Sequence, residues 1–130
     1  MSEMQAENAI SGNSASDSQF VHLRVHSDFS MMDGLNKVKP ILDRAKALNM
    51  PAIAITDQMN MCGLVKFYSE SHARGIKPLI GVDVWLSNPL LDEITRLTLL
   101  AMDGDGYKNI TLLISEAYKR GYVSNRAVID

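Results

Sequence analysis

The stretch Val21–Gly34, VHLRVHSDFSMMDG, decides the reading of this chain. Val21, Leu23 and Val25 alternate with His22, Arg24 and His26. Alternation with a period of two marks a β-strand with one apolar and one polar face. A strand over Phe20–Val25 is therefore expected, with His22, Arg24 and His26 pointing the same way. It runs directly into a segment rich in turn residues. Polar side chains at the C-terminal end of a strand are where α/β folds usually carry their chemistry.

Working outward, the residues before the strand, 1–19, are rich in Ser, Asn, Ala, Glu and Gln, and Ile10 is their only strongly apolar residue besides methionine. Such a segment cannot bury enough surface to offset its ordering entropy, and it reads as a disordered tail. After the strand, β and α patterns alternate. A helix carries Pro40 in its first turn, where a missing N–H costs nothing. Ile41, Leu42, Ala45 and Leu48 form its apolar stripe, Asn49 its C-cap, and Pro51 prevents continuation. Ala52–Thr56 reads as a buried parallel strand. Leu64–Ser71 reads as a helix ending near Gly75, Leu79–Leu86 as a third strand and Arg96–Met102 as a fourth. Tyr107–Lys119 reads as a last helix, with Ile110, Leu113, Ile114 and Ala117 inward and Gly121 as its stop. Strands alternating with helices imply a parallel α/β sheet with right-handed crossovers.

Composition sets broad limits. The 130 residues make one domain or part of one. A net charge of −2 argues against a nonspecific nucleic-acid-binding surface. The single cysteine, Cys62, excludes an internal disulfide framework and fits a reducing cytosol. No apolar run approaches the roughly 20 residues that span a bilayer. No basic region followed by an apolar stretch opens the chain, so no signal peptide is expected. The expected location is cytoplasmic.

The opening motif resembles the first motif of the PHP (polymerase and histidinol phosphatase) superfamily, in the version found at the start of bacterial replicative DNA polymerase III alpha subunits. In metal-binding members this motif runs His-x-His, a Ser or Thr, a Ser, then Asp-Gly. Here Arg24 and His26 take the two His positions, and Ser27, Ser30, Asp33 and Gly34 follow at the expected spacing. The resemblance continues through Ala54–Tyr68 (AITDQMNMCGLVKFY) and Gly75–Leu86 (GIKPLIGVDVWL). It implies the N-terminal part of a distorted (β/α)7 barrel, spanning residues 20–130 and incomplete, because four βα steps cannot close a barrel. An independent open sheet is the alternative on topology. The chain is expected to be the head of a longer polypeptide that carries out DNA-templated DNA synthesis with Mg2+. The aspartates for that chemistry would lie downstream.

The resemblance also implies a ligand set. The positions that hold metal ligands in relatives are Arg24, His26, Asp33, Gln58 and Asp83 here. Arginine has no lone pair and a permanent charge. Gln58 offers only a neutral amide oxygen. Asp83 is one methylene shorter than the Glu of the pattern, a reach shorter by about 1.5 Å. His26, Asp33 and Asp83 thus read as vestigial ligand positions, with ligands lost at Arg24 and Gln58. No catalytic residue, metal or cofactor is expected in this segment. A network of Arg24, Asp33 and Asp83 is expected in the metal's place. His26 otherwise reads as a hydrogen-bonded histidine of the sheet, and Asp33 equally as a turn residue before Gly34. Asp57 reads as a cap for the turn after its strand, His22 as surface, His72 as solvated, Cys62 as a buried small hydrophobe and Trp85 as core. Implied partners are the proofreading 3′–5′ exonuclease, for which this domain is a docking surface, and the other replicase subunits. DNA is reached through the longer polymerase, and no membrane is involved. The alternative is a metal-dependent phosphoesterase or 3′–5′ exonuclease of the same superfamily.

Overall fold

The computed structural model describes residues 20–88, 90, 93–120 and 122–130. The tail expected over 1–19 and the stop expected at Gly121 lie outside them. In chain order the elements are α1 (Val38–Ala47), β1 (Ala52–Ile55), α2 (Leu64–Ala73), β2 (Lys77–Asn88), β3 (Glu93–Leu100), α3 (Gly104–Arg120), β4 (Tyr122–Val123) and β5 (Arg126–Ile129).

Both helices that flank β1 end on the same local device. Asn49 adopts φ 53° just past α1. Its N–H reaches the Lys46 carbonyl, and the Met50 N–H reaches that of Ala45. Gly75 adopts φ 71° just past α2, where its N–H meets His72 and the Ile76 N–H meets Ser71. These are paired Schellman closures, and they tolerate only residues at ease with positive φ. Each returns the chain to the sheet after one helix. α3 starts differently: the Asp103 carboxylate accepts the Gly106 N–H at 2.8 Å, an N-cap bond.

The sheet runs β1-β2-β5-β4, with β3 also on β2, and does not close. β1 pairs in parallel with the first part of β2, Ala52 opposite Lys77 through Ile55 opposite Ile80. β5 joins β2 in parallel at Trp85 and Leu86. β3 departs from expectation. It begins at Glu93 and runs antiparallel to β2, with Gly81 opposite Leu100 and Asp83 opposite Thr98. The reason is length. A parallel return needs a crossover of about a dozen residues or more, and 87–95 is too short.

The first strand departs too. No regular strand forms over Phe20–Val25. The segment nevertheless lies beside β1, its His22 and Val25 carbonyls accepting the Ala54 and Thr56 N–H groups at 2.8 Å each. The acceptors are three residues apart and the donors two, so one extra residue bulges out. The Thr56 hydroxyl causes this by accepting the Val25 N–H at 2.9 Å. Alternation is lost, and Leu23 is left exposed.

Two apolar clusters hold the layers. Val38, Leu42, Ala45, Phe67 and Ile76 pack with Ile53 and Ile55 between α1, α2 and β1. Val82, Val84, Ile110, Ala117 and Ala127 pack between β2, α3 and β5. Burying a large apolar side chain contributes about 1.5–3 kcal/mol, so Leu42, Phe67, Val82 and Ile110 anchor the helices. Leu48 and Leu113, expected inward, stay partly exposed at the helix edges. Cys62 is exposed rather than buried, because it precedes α2 in a turn outside both clusters.

Candidate functional site

Asp83 lies on β2 between Val82 and Val84. Those valines face α3, so the pleat turns the Asp83 carboxylate to the opposite face. There it meets the N-terminal segment. Arg24 Nε and His26 Nε2 each donate to Asp83 Oδ2 at 2.7 Å, and Thr98 Oγ1 donates to Oδ1 at 2.5 Å. Asp83 is 1% exposed, whereas the Arg24 side chain is half exposed. Burial pushes the Asp83 carboxyl up, but the bonds from Thr98, Arg24 and His26 outweigh it and hold the pKa below its ordinary value.

His26 bridges two carboxylates. Its Nδ1 lies 2.9 Å from Asp33 Oδ1, and its Nε2 faces Asp83. A carboxylate only accepts, so both bonds are complete when both ring nitrogens carry hydrogen and the ring is positive. Asp33 also accepts from Ser30 Oγ at 2.7 Å, with Arg96 Nη1 3.7 Å from its other oxygen. Against the upward push of burial, Ser30, His26 and Arg96 lower the Asp33 pKa. Arg24, His26 and Arg96 thus alternate with the carboxylates of Asp83 and Asp33 across the face.

The loop that carries Asp33 is locked from below. Ser30 N–H bonds to the Ser27 carbonyl, and the Asp33 and Gly34 N–H groups bond to the Ser30 carbonyl. A Cβ on Gly34 would collide with the Ser27 carbonyl oxygen, so only glycine closes this turn. Asp57, 2% exposed, accepts the Ser27 N–H at 2.6 Å and the Ser27 hydroxyl at 2.8 Å. It therefore caps the turn after His26, not the turn after its own strand. Burial raises its pKa despite the Ser27 bonds.

The PHP domain model matches residues 22–130. The chain belongs to the PHP domain family. Within it, the chain is 59% identical over 116 residues to the DNA polymerase III subunit alpha of Vibrio cholerae and 57% identical over 116 residues to that of Escherichia coli K12, each match covering 88% of this chain. The Pseudomonas aeruginosa alpha subunit is 48% identical over 112 residues, 85% of this chain. The chain spans about 10% of the length of these relatives. In fold it is similar to an amidohydrolase from Chromobacterium violaceum, determined with bound sulfate and no metal (TM-score 0.61, 24% identity, 76% of this chain and 33% of that one). It is also similar to a Bifidobacterium adolescentis protein whose description assigns it to the metal-dependent phosphoesterases (TM-score 0.57, 16% identity, 76% and 32%).

A PHP-type metal centre would need lone pairs converging on one point. In this PHP domain Arg24 supplies none, and both His26 nitrogens are committed to carboxylates. Both Asp83 oxygens accept from protein donors. Gln58 meets the site through its backbone, its N–H bonding Ser30 Oγ at 3.1 Å. The donor set as folded does not fit a divalent cation. Among the described residues, no group of three or more His, Cys, Asp or Glu converges as a cation cage.

The fold brings Arg24, His26, Asp33 and Asp83 together and leaves His22 on the surface, edge-on to Phe20. His72 is likewise exposed. Thr98, Ser30 and Arg96 escaped the sequence reading as site residues. Thr98 and Arg96 become legible once β3 is paired, because they sit opposite Asp83 and Trp85. Trp85 is half-buried rather than core, with the Arg96 and Arg126 guanidinium carbons 4.5 and 4.4 Å from its ring centre.

Proposed function

We propose that this PHP domain is a non-catalytic portion of the alpha subunit of a bacterial replicative DNA polymerase III, in which an internal ion-pair network stands in for the metal centre. The carrying observation is that Arg24 and His26 jointly occupy Asp83, which removes the electron pairs a hydrolytic cation would need. Similarity to alpha subunits along 88% of the chain supports the parent assignment. In the longer polypeptide, DNA-templated synthesis with Mg2+ would belong to residues outside this segment. The segment itself would serve packing and the docking of replicase partners, the proofreading exonuclease among them, in the bacterial cytoplasm. No helix of the described residues is long and apolar enough to cross a membrane, in keeping with that location.

Two assays test the proposal. Manganese-stimulated hydrolysis of a generic phosphate ester should be at background, and turnover abolished by His26→Ala would favour a phosphoesterase instead. Arg24→His should not confer tight zinc binding, because Gln58 remains; calorimetric zinc binding by that single variant would overturn the network reading.

A further inference from the structure

Trp85 carries an arginine on each side. It follows Asp83 by two residues on β2 and so shares its face of the sheet. β3 and β5 pair with opposite edges of β2, and Arg96 lies directly opposite Trp85 on β3. Arg126 opens β5 just after a two-residue hairpin turn, in which Ser124 and Asn125 take φ 50° and 62°. Positive φ at both positions marks a type I′ turn, which fixes the place where Arg126 leaves it. With both guanidinium groups over the indole ring, the side chains form a three-layer stack.

Neither guanidinium is spent on a hydrogen bond among the described residues. Arg96 comes within 3.7 Å of Asp33, beyond hydrogen-bond reach, and Arg126 makes no ion pair. Arg24, Arg74 and Arg120 by contrast each donate to a carboxylate. Stacking thus holds two guanidinium forks in fixed planes with their N–H edges open, and both residues are exposed. Trp85 lies five residues past Ile80, where the pairing of β2 with β1 ends. The stack therefore stands at the C-terminal mouth of the parallel layer, beyond the stretch where further parallel strands would continue it.

We infer that this stack binds single-stranded nucleic acid, with bases on the outer faces of Arg96 and Arg126 and phosphates on their N–H edges. Unpaired bases stack on guanidinium planes, and the same group takes a phosphate through two parallel hydrogen bonds. An acidic peptide would use only the edges, and the bases of a duplex are already stacked on each other. The site is local, since a net charge of −2 provides no general basic surface. The inference goes beyond the partner-docking role proposed above and does not depend on it.

Trp85 is the only tryptophan, so its fluorescence reports on the stack. The whole chain is titrated at low salt with a thymidine oligonucleotide about a dozen residues long, with polyglutamate of matched charge and with inorganic phosphate. The oligonucleotide should quench Trp85 saturably and bind roughly tenfold or more tightly than polyglutamate, because only it can stack. Anisotropy of a labelled oligonucleotide should show Arg96→Gln and Arg126→Gln each weakening binding roughly tenfold and lowering the salt slope by about 1. Arg126→Lys, which keeps the charge and loses the plane, should weaken binding while leaving the salt slope intact. Lys108→Gln, on α3, should change nothing. Absence of binding, polyglutamate binding as tightly as the oligonucleotide, displacement by inorganic phosphate at matched concentration, or an Arg126→Gln variant that binds like wild type would each overturn the inference.

Discussion

Asp57 and Asp83 are both buried carboxylates on neighbouring chain segments, yet their surroundings push them in opposite directions. Asp57 meets only the N–H and hydroxyl of Ser27, and burial raises its pKa. Asp83 meets Arg24, His26 and Thr98, and its pKa is lowered against the same burial. Burial alone therefore does not decide the state of a carboxylate; its set of donors does, here Thr98, Arg24 and His26 together against Ser27 alone. One residue ties down a loop with neutral groups. The other pairs with Arg24 and accepts from His26 and Thr98 where a metal would require bare ligands.

The largest effect should come from the loop that both sites share. Gly34→Ala forces a Cβ into the Ser27 carbonyl, moving Asp57's partner and Asp33's turn together. A loss above about 4 kcal/mol is expected in urea denaturation. A loss below about 1 kcal/mol would show that the turn relaxes freely.

Next, the two carboxylates should separate when each is made an amide. Asp83→Asn leaves Arg24 without its counter-charge and should cost about 3 kcal/mol, the lower end for a broken buried pair because Arg24 is half exposed. Asp57→Asn keeps acceptor and donor capacity for Ser27 and sheds a desolvated charge, so it should cost about 1 kcal/mol or less. Equal losses would erase the distinction between the two sites.

Stability against pH follows with opposite signs. The lowered pKa values of Asp83 and Asp33 contribute stability that is present above their ordinary 3.8 and lost as pH falls through their folded values. The raised value of Asp57 contributes stability that is present below 3.8 and lost as pH rises through its folded value. Wild type minus Asp57→Asn should therefore decline as pH climbs from 3.8. Wild type minus Asp83→Asn should decline as pH drops below it. Thr98→Val removes one hydrogen bond to a charged acceptor and should cost about 1.5 kcal/mol, between the losses from Asp83→Asn and Asp57→Asn, read from the same denaturation midpoints.

Much of this was legible in the chain itself. α1 and α2, their closures at Asn49 and Gly75, β1 and the core of β2 follow from helical spacing, positive-φ residues and apolar runs, all local signals. The first strand was misread because the Thr56 hydroxyl, distant in sequence, claims the Val25 N–H and forces a bulge. β3 was misread as parallel, although the short 87–95 stretch carried the contrary signal. That error hid Thr98 and Arg96 from the site, since both reach it only through antiparallel register. β4 and β5 are too short for periodicity to announce them. Cys62 is exposed because turn position outweighed residue type.

The account's central claim is that Arg24 and Asp83 are energetically bound to each other in place of a metal. A double-mutant cycle of Arg24→Gln and Asp83→Asn, followed by urea denaturation in metal-free buffer, measures it directly. The account predicts a coupling above about 1 kcal/mol that chelator and added zinc leave unchanged. A coupling near zero, or one that appears only when zinc is added, would contradict it.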